Sequence, residues 1–117
     1  MSQVLRPPIT THILDTERGS PAAGVDVVLL RETNGNWQKI AQSKTNADGR
    51  VEQWDTSFSI SSGTYQLQFA IDNYFNRLGI TSFYPHVVIS FTVSANDQHY
   101  HVPLLLSAHG YTTYRGS

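Results

Sequence analysis

His99 and His101 stand two positions apart in the run His99-Tyr100-His101-Val102-Pro103-Leu104-Leu105-Leu106, and side chains two apart on an extended chain project from the same face. A pair of imidazoles on one face can hold a metal ion, take a proton from water or orient a polar ligand. No third ligand is evident nearby in the sequence, so the metal reading is the weaker one. His12 sits in Thr10-Thr11-His12-Ile13-Leu14, a run that favours a pleated, half-buried surface, and taken alone a hydrogen-bonded structural role outweighs a catalytic one there. Arg50 follows Asn46-Ala47-Asp48-Gly49 and on spacing alone reads as the cationic lip of a turn. His86, after Tyr84-Pro85, and His109, beside Gly110, read as surface or turn histidines.

The chain finishes in Gly110-Tyr111-Thr112-Thr113-Tyr114-Arg115-Gly116-Ser117, an aromatic and basic segment where a frayed, unremarkable one is the rule. Arg115 alone reads as a solvated charge. The Ser117 hydroxyl and carboxylate offer one donor and several acceptors at a single point, useful to a polar ligand if the tail is fixed.

Composition removes whole classes of chemistry. The sequence has no cysteine, so thiol nucleophiles, thiol redox chemistry, zinc-thiolate sites and disulfides are excluded. Eight Lys and Arg against nine Asp and Glu give a net charge of -1, too near neutrality for an electrostatic grip on nucleic acid or an anionic membrane. No nucleophile-elbow, phosphate-loop or dinucleotide motif is present. No apolar run is long enough to span a bilayer, the first residues lack the apolar core of a secretion signal, and the last three are not a peroxisomal address. A cytoplasmic location is the expectation.

The elements that must position these groups are strands. With 117 residues the chain is one domain by length, able to bury roughly 65% of its unfolded surface. Short apolar runs punctuated by isolated Gly and Pro predict an all-β fold. Strands are expected over Ile9 to Asp15, Val25 to Arg31, Trp37 to Thr45, Arg50 to Trp54, Thr64 to Ile71, Val87 to Val93 and through His101. Asn34-Gly35-Asn36 and Asn46-Ala47-Asp48-Gly49 are the expected turns, the second a hairpin returning through Arg50. Tyr65, Leu67, Phe69 and Ile71 alternate against Gln66 and Gln68. The segment 72–79 has a polar start and a Gly stop, which suits one short helix. The expected architecture is a two-sheet antiparallel β-sandwich of seven to eight strands with one helical excursion. Residues 1–8 are expected to form a flexible N-terminal segment and 9–117 the domain.

Three blocks carry a family resemblance. Thr10-Thr11-His12-Ile13-Leu14-Asp15-Thr16, Thr45-Asn46-Ala47-Asp48-Gly49-Arg50, and His101-Val102-Pro103-Leu104-Leu105-Leu106-Ser107 with the terminal Tyr114-Arg115-Gly116-Ser117 resemble, in order and spacing, the transthyretin-related 5-hydroxyisourate hydrolases. The resemblance runs from about Ile9 to the last residue, and the terminal Tyr-Arg-Gly-Ser is its most specific part. It implies a transthyretin-like Greek-key sandwich and a homotetramer, a dimer of dimers with active sites at the dimer–dimer interface. It implies hydrolysis of 5-hydroxyisourate to 2-oxo-4-hydroxy-4-carboxy-5-ureidoimidazoline, the step after urate oxidation in purine breakdown, without metal or other cofactor. The implied catalytic set is His12, Arg50, His101 and Ser117, with Tyr114 lining the substrate pocket and His99 outside the set. One imidazole would act as base and the other orient or donate, the resemblance leaving open which, while Arg50 would stabilise charge growing on oxygen. Ala108 stands where many relatives have Pro, which is expected to loosen the turn before the last strand.

The alternative from another functional class is a transthyretin-like carrier that binds a small ligand and performs no chemistry. Fold cannot separate the two. The combination of His12, Arg50, His101 and the Tyr-Arg-Gly-Ser end, which the carrier branch lacks, favours the hydrolase.

Overall fold

The computed structural model describes residues 6–94 and 98–117, and within them the chain is a sandwich of two sheets. The order is β1 (Ile9–Asp15), β2 (Ser20–Pro21), β3 (Asp26–Thr33), β4 (Asn36–Lys44), β5 (Arg50–Val51), β6 (Gly63–Phe69), α1 (Ile71–Arg77), β7 (Val87–Val93), β8 (Tyr100–Ser107) and β9 (Gly110–Thr113). One sheet runs β2-β1-β8-β9 with β5 also on β1, and the other runs β4-β3-β6-β7. Nine strands therefore stand where seven to eight were expected, because two of them are only two residues long. The β1–β8 pair is parallel, within a sandwich whose other pairings are antiparallel.

Period-two patterning builds the core. Tyr65, Leu67 and Phe69 of β6 meet Val27 and Leu29 of β3 beneath Ile9, Ile13, Leu104 and Leu106 of the facing sheet, all of them buried. Gln66 is buried as well, because β6 lies between β3 and β7, and it is satisfied by Ser90 and Gln68. The helix begins at Ile71, earlier than its polar start suggests, and turns Ile71, Tyr74 and Phe75 inward. That is the i, i+3, i+4 stripe of an amphipathic helix. Tyr74 donates its hydroxyl proton to the buried Asp15 carboxylate at 2.7 Å, fastening the helix to the end of β1.

The expectation for Arg50 to Trp54 is corrected. These residues form no ladder with β4, although Ser43 Oγ donates to the Gln53 carbonyl at 2.8 Å as the chain passes it. Only Arg50 and Val51 are extended, and they pair with β1 in the other sheet, His12 opposite Arg50 and Thr11 opposite Val51. The turn is a crossing between sheets. Asn46 Oδ1 accepts the N–H groups of Asp48 and Arg50, and Gly49 takes a φ of 74°, which glycine adopts without steric cost. A Cβ on Gly49 would fall 2.5 Å from the Ile13 carbonyl oxygen, while Ile13 N–H donates to the Gly49 carbonyl at 2.8 Å. Backbone is thus pressed on backbone, which fixes Arg50 opposite His12.

Of the segment expected to be flexible, residues 1–5 lie outside the described residues. Pro7 and Pro8 are held, since Pro8 O accepts Tyr100 N–H at 2.8 Å and Pro7 O accepts a His99 ring N–H at 2.9 Å. Ala108 is likewise no loose point. It is buried, its N–H donates to Glu17 at 2.6 Å and its carbonyl accepts Phe83 N–H at 2.7 Å.

Candidate active site

The outer face of the β1–β8 sheet gathers residues from distant parts of the chain. Ile9, Thr11, Ile13 and Asp15 of β1 point into the core and are buried, so Thr10 and His12 take the opposite face. Register then sets their neighbours. Thr10 lies opposite His101 and His12 opposite Pro103 across the parallel pair, and His12 lies opposite Arg50 across the antiparallel one. On β8, Tyr100, Val102, Leu104 and Leu106 are buried, which turns His101 and Pro103 outward beside His12.

A cleft of about 380 Å³ opens here, lined by Arg50, His101, Thr10, Arg6, Glu52 and Gln53 among others. A larger hollow of about 530 Å³ adjoins it, sharing Arg6, Pro7 and Gln53 and walled by Trp54 and Phe58. His12 borders Arg50 one strand over. Tyr114 does not line this cleft. It is exposed and borders a separate hollow of about 190 Å³ with Ile89, Phe91, Tyr100 and Val102.

The tail is pinned, as its composition suggests. Gly116 bridges to His101, donating its N–H to the His101 carbonyl at 2.8 Å, and Thr113 Oγ1 donates to the Pro103 carbonyl at 2.8 Å. Arg115 stacks over the Tyr100 ring, 4.5 Å from its centroid, and its Nη2 donates to Gln98. Arg115 remains an exposed charge, as read from the sequence, but one held in place by these two contacts, and Ser117 follows directly on the bridge at His101.

Charge in the site is mostly positive. Burial pushes the His101 pKa below its ordinary value, and the cationic Arg50, then His99, His12 and Arg6, push it the same way. Burial also lowers His99, helped by Arg6 and opposed by the Pro7 carbonyl. At neutral pH both imidazoles are neutral, beside the permanent charges of Arg50 and Arg6. Such a site suits a flat, carbonyl-rich anion and can offer it a base and a cation together.

His99 and His101 do not simply face solvent as a free pair. Both bond to the Thr10 hydroxyl, His99 Nε2 at 3.0 Å and His101 Nδ1 at 2.8 Å. Among the described residues there is no group of three or more His, Cys, Asp or Glu that could hold a metal ion. His86 and His109 are exposed. Thr10 and Arg6 are the residues that sequence reasoning missed. The one signal for Thr10 was its parity with His12 on β1; Arg6 had none, since it precedes the first strand.

Comparison with known proteins places the chain. Residues 9–116 match the family model described as the HIUase/Transthyretin family. A protein of Schizosaccharomyces pombe named probable 5-hydroxyisourate hydrolase is 48% identical over 95% of this chain and 92% of its own length. The structure of Klebsiella pneumoniae 5-hydroxyisourate hydrolase superposes with a TM-score of 0.80 at 37% identity, covering 93% of this chain and 98% of that one. Sea bream transthyretin in complex with thyroxine superposes with a TM-score of 0.87 at 31% identity, covering 93% and 94%. The chain belongs to the HIUase/transthyretin family.

Proposed function

We propose that this protein is a 5-hydroxyisourate hydrolase. The observation that carries the reading is the convergence of His12, Arg50 and His101 from three strands onto one sheet face, against a tail tied to His101 by its penultimate residue. Backbone likeness cannot decide, because the thyroxine-binding relative superposes as well as the hydrolase does. The side chains favour catalysis: a cleft built to hold thyroxine has no need of a neutral imidazole, that of His101, beside the Arg50 guanidinium.

In this reading the flat heterocycle lies in the cleft with its reacting carbonyl toward Arg50. One imidazole, His101 or His12, takes a proton as water oxygen bonds to the carbonyl carbon. Negative charge grows on the carbonyl oxygen and Arg50 stabilises it. The ring C–N bond then breaks, the proton passes to the leaving nitrogen, and the ring opens to the carboxylate of 2-oxo-4-hydroxy-4-carboxy-5-ureidoimidazoline. Ser117 holds a polar edge of the substrate. The reaction runs without a metal, so exhaustive chelation leaves turnover intact. Loss of activity that zinc restores would overturn that point.

The working form is a homotetramer, a dimer of dimers. Two such sheet faces oppose each other, close the open side of each cleft and bring Tyr114 of the tail to the site. The protein acts in the cytoplasm. The direct test follows the ultraviolet decay of 5-hydroxyisourate freshly made by urate oxidase. Decay well above the spontaneous rate is expected, and decay at the spontaneous rate would favour the carrier.

A further inference from the structure

The hydroxyl of Thr10 bonds to two imidazoles at once, and it has only one proton to give. The chain of contacts can be assigned from its far end. Pro7 O is a carbonyl and can only accept, so His99 Nδ1, at 2.9 Å from it, carries a hydrogen. A neutral imidazole with its proton on Nδ1 has a bare Nε2. His99 Nε2, at 3.0 Å from Thr10 Oγ1, is therefore an acceptor, and the Thr10 proton points to it. Thr10 Oγ1 is left with lone pairs toward His101 Nδ1 at 2.8 Å, so that nitrogen must be the donor. The proton of His101 is thus fixed on Nδ1 and the lone pair on Nε2. No hydrogen bond occupies that Nε2 among the described residues.

We propose that Thr10 and His99 are positioning residues of the hydrolase, forming with the Pro7 carbonyl a hydrogen-bonded chain that holds His101 in the tautomer whose Nε2 can take a proton from water. The chain assigns the base to His101 and leaves His12, which makes no such contact among the described residues, to orient or donate. Its logic is that of a serine-protease triad, where a buried acceptor fixes the tautomer of the working imidazole. Here a carbonyl, a second histidine and a hydroxyl stand in for one carboxylate. Burial supports it: Thr10 is 5% exposed, so its hydroxyl has little access to competing water. The downward shift of His99 agrees, because only the neutral ring can accept from Thr10.

This proposal rests on the hydrolase reading, and its test separates the two. Long-range proton–nitrogen correlation spectra of the ¹⁵N-histidine-labelled wild-type protein at neutral pH report which ring nitrogen carries hydrogen. Protonated Nδ1 and bare Nε2 are expected for both His99 and His101, and a proton on His101 Nε2 would overturn the chain. In parallel, turnover is compared for Thr10→Val, which keeps the shape and loses the hydroxyl, and Thr10→Ser, which restores it. Thr10→Val is expected to lose on the order of a hundredfold in kcat, the lower end of what general acid–base assistance contributes. KM should change little, the His101 tautomers should become mixed, and Thr10→Ser should recover most of the rate. Wild-type turnover in Thr10→Val would overturn the positioning role. A wild-type protein that leaves substrate decay unaccelerated would instead sink the hydrolase reading, while its spectrum still reports whether the chain exists.

Discussion

Gly116 lies so close to His101 that a side chain there has no room: a Cβ would fall 2.6 Å from His101 Cδ2 and 3.2 Å from Pro103 Cγ. The glycine of the terminal motif is thus required by a close approach, since its N–H bonds the His101 carbonyl while its Cα passes the ring. Gly116→Ala must push the imidazole aside or release the tail. Displacement of a catalytic group by about 1 Å can cost on the order of a hundredfold, so kcat should fall tenfold or more. The tail is peripheral, so thermal unfolding should move by less than about 1 kcal/mol. Full activity in this variant would remove the tail from the site. Deleting residues 114–117 is the coarser version, with most turnover lost.

The pH dependence has a definite sign. The groups facing His101 are Arg50, His99, His12 and Arg6, with the carboxylate Glu52 also on the cleft wall. Since burial and the cations lower its pKa below 6.5, His101 stays a neutral base into mildly acidic solution. The rate should be flat at neutral pH and fall only as pH drops through the lowered value. Protonation of His99, also lowered, sharpens the fall. A cationic His99 would donate to Thr10 and reverse the hydrogen-bonded chain. Arg50→Gln removes one of the cations that depress His101, so the acidic limb of the kcat/KM profile should move to higher pH. A limb unmoved in that variant would detach Arg50 from His101.

Stability should depend on groups outside the site. Tyr74→Phe leaves the Asp15 carboxylate, wholly buried, without its 2.7 Å donor. Oδ1 keeps the N–H groups of Glu17 and Arg18 while Oδ2 loses its donor, and the expected cost is about 2 kcal/mol, the range for a buried polar atom left unpaired. Urea denaturation measures it, and the kcat of the folded protein should be unchanged.

Glu17 offers a second such test. Its carboxylate accepts the N–H of Ala108, a buried residue of the β8–β9 turn, and Glu17→Ala should lower stability by about 1 kcal/mol. Glu17→Gln, which can still accept, should cost less. Equal losses would show that the contact is not what matters.

Much of the fold was legible from the chain because period-two alternation in Thr64 to Phe69 and Val87 to Val93 is local. The site was less so. His12 and Arg50 look unremarkable singly, and only the register between strands makes them neighbours. The crossing of Arg50 to the other sheet was misread as a hairpin because the turn residues are the same for both. What distinguishes them is Gly49 pressing on Ile13, a contact between segments far apart in sequence. Beyond its parity with His12, Thr10 carried no mark of its role for the same reason: the parallel pairing of β1 with β8 brings it to His101 across 91 positions. The terminal block was the exception, readable because its motif is contiguous.

The most direct test compares wild type with His101→Ala in the decay of freshly generated 5-hydroxyisourate, on samples matched for folding and oligomeric state. Fast decay with wild type and loss on the order of a hundredfold or more in the variant is the predicted result, the scale of general base catalysis. Equal rates for the two proteins would contradict the account, because the base would then not be His101.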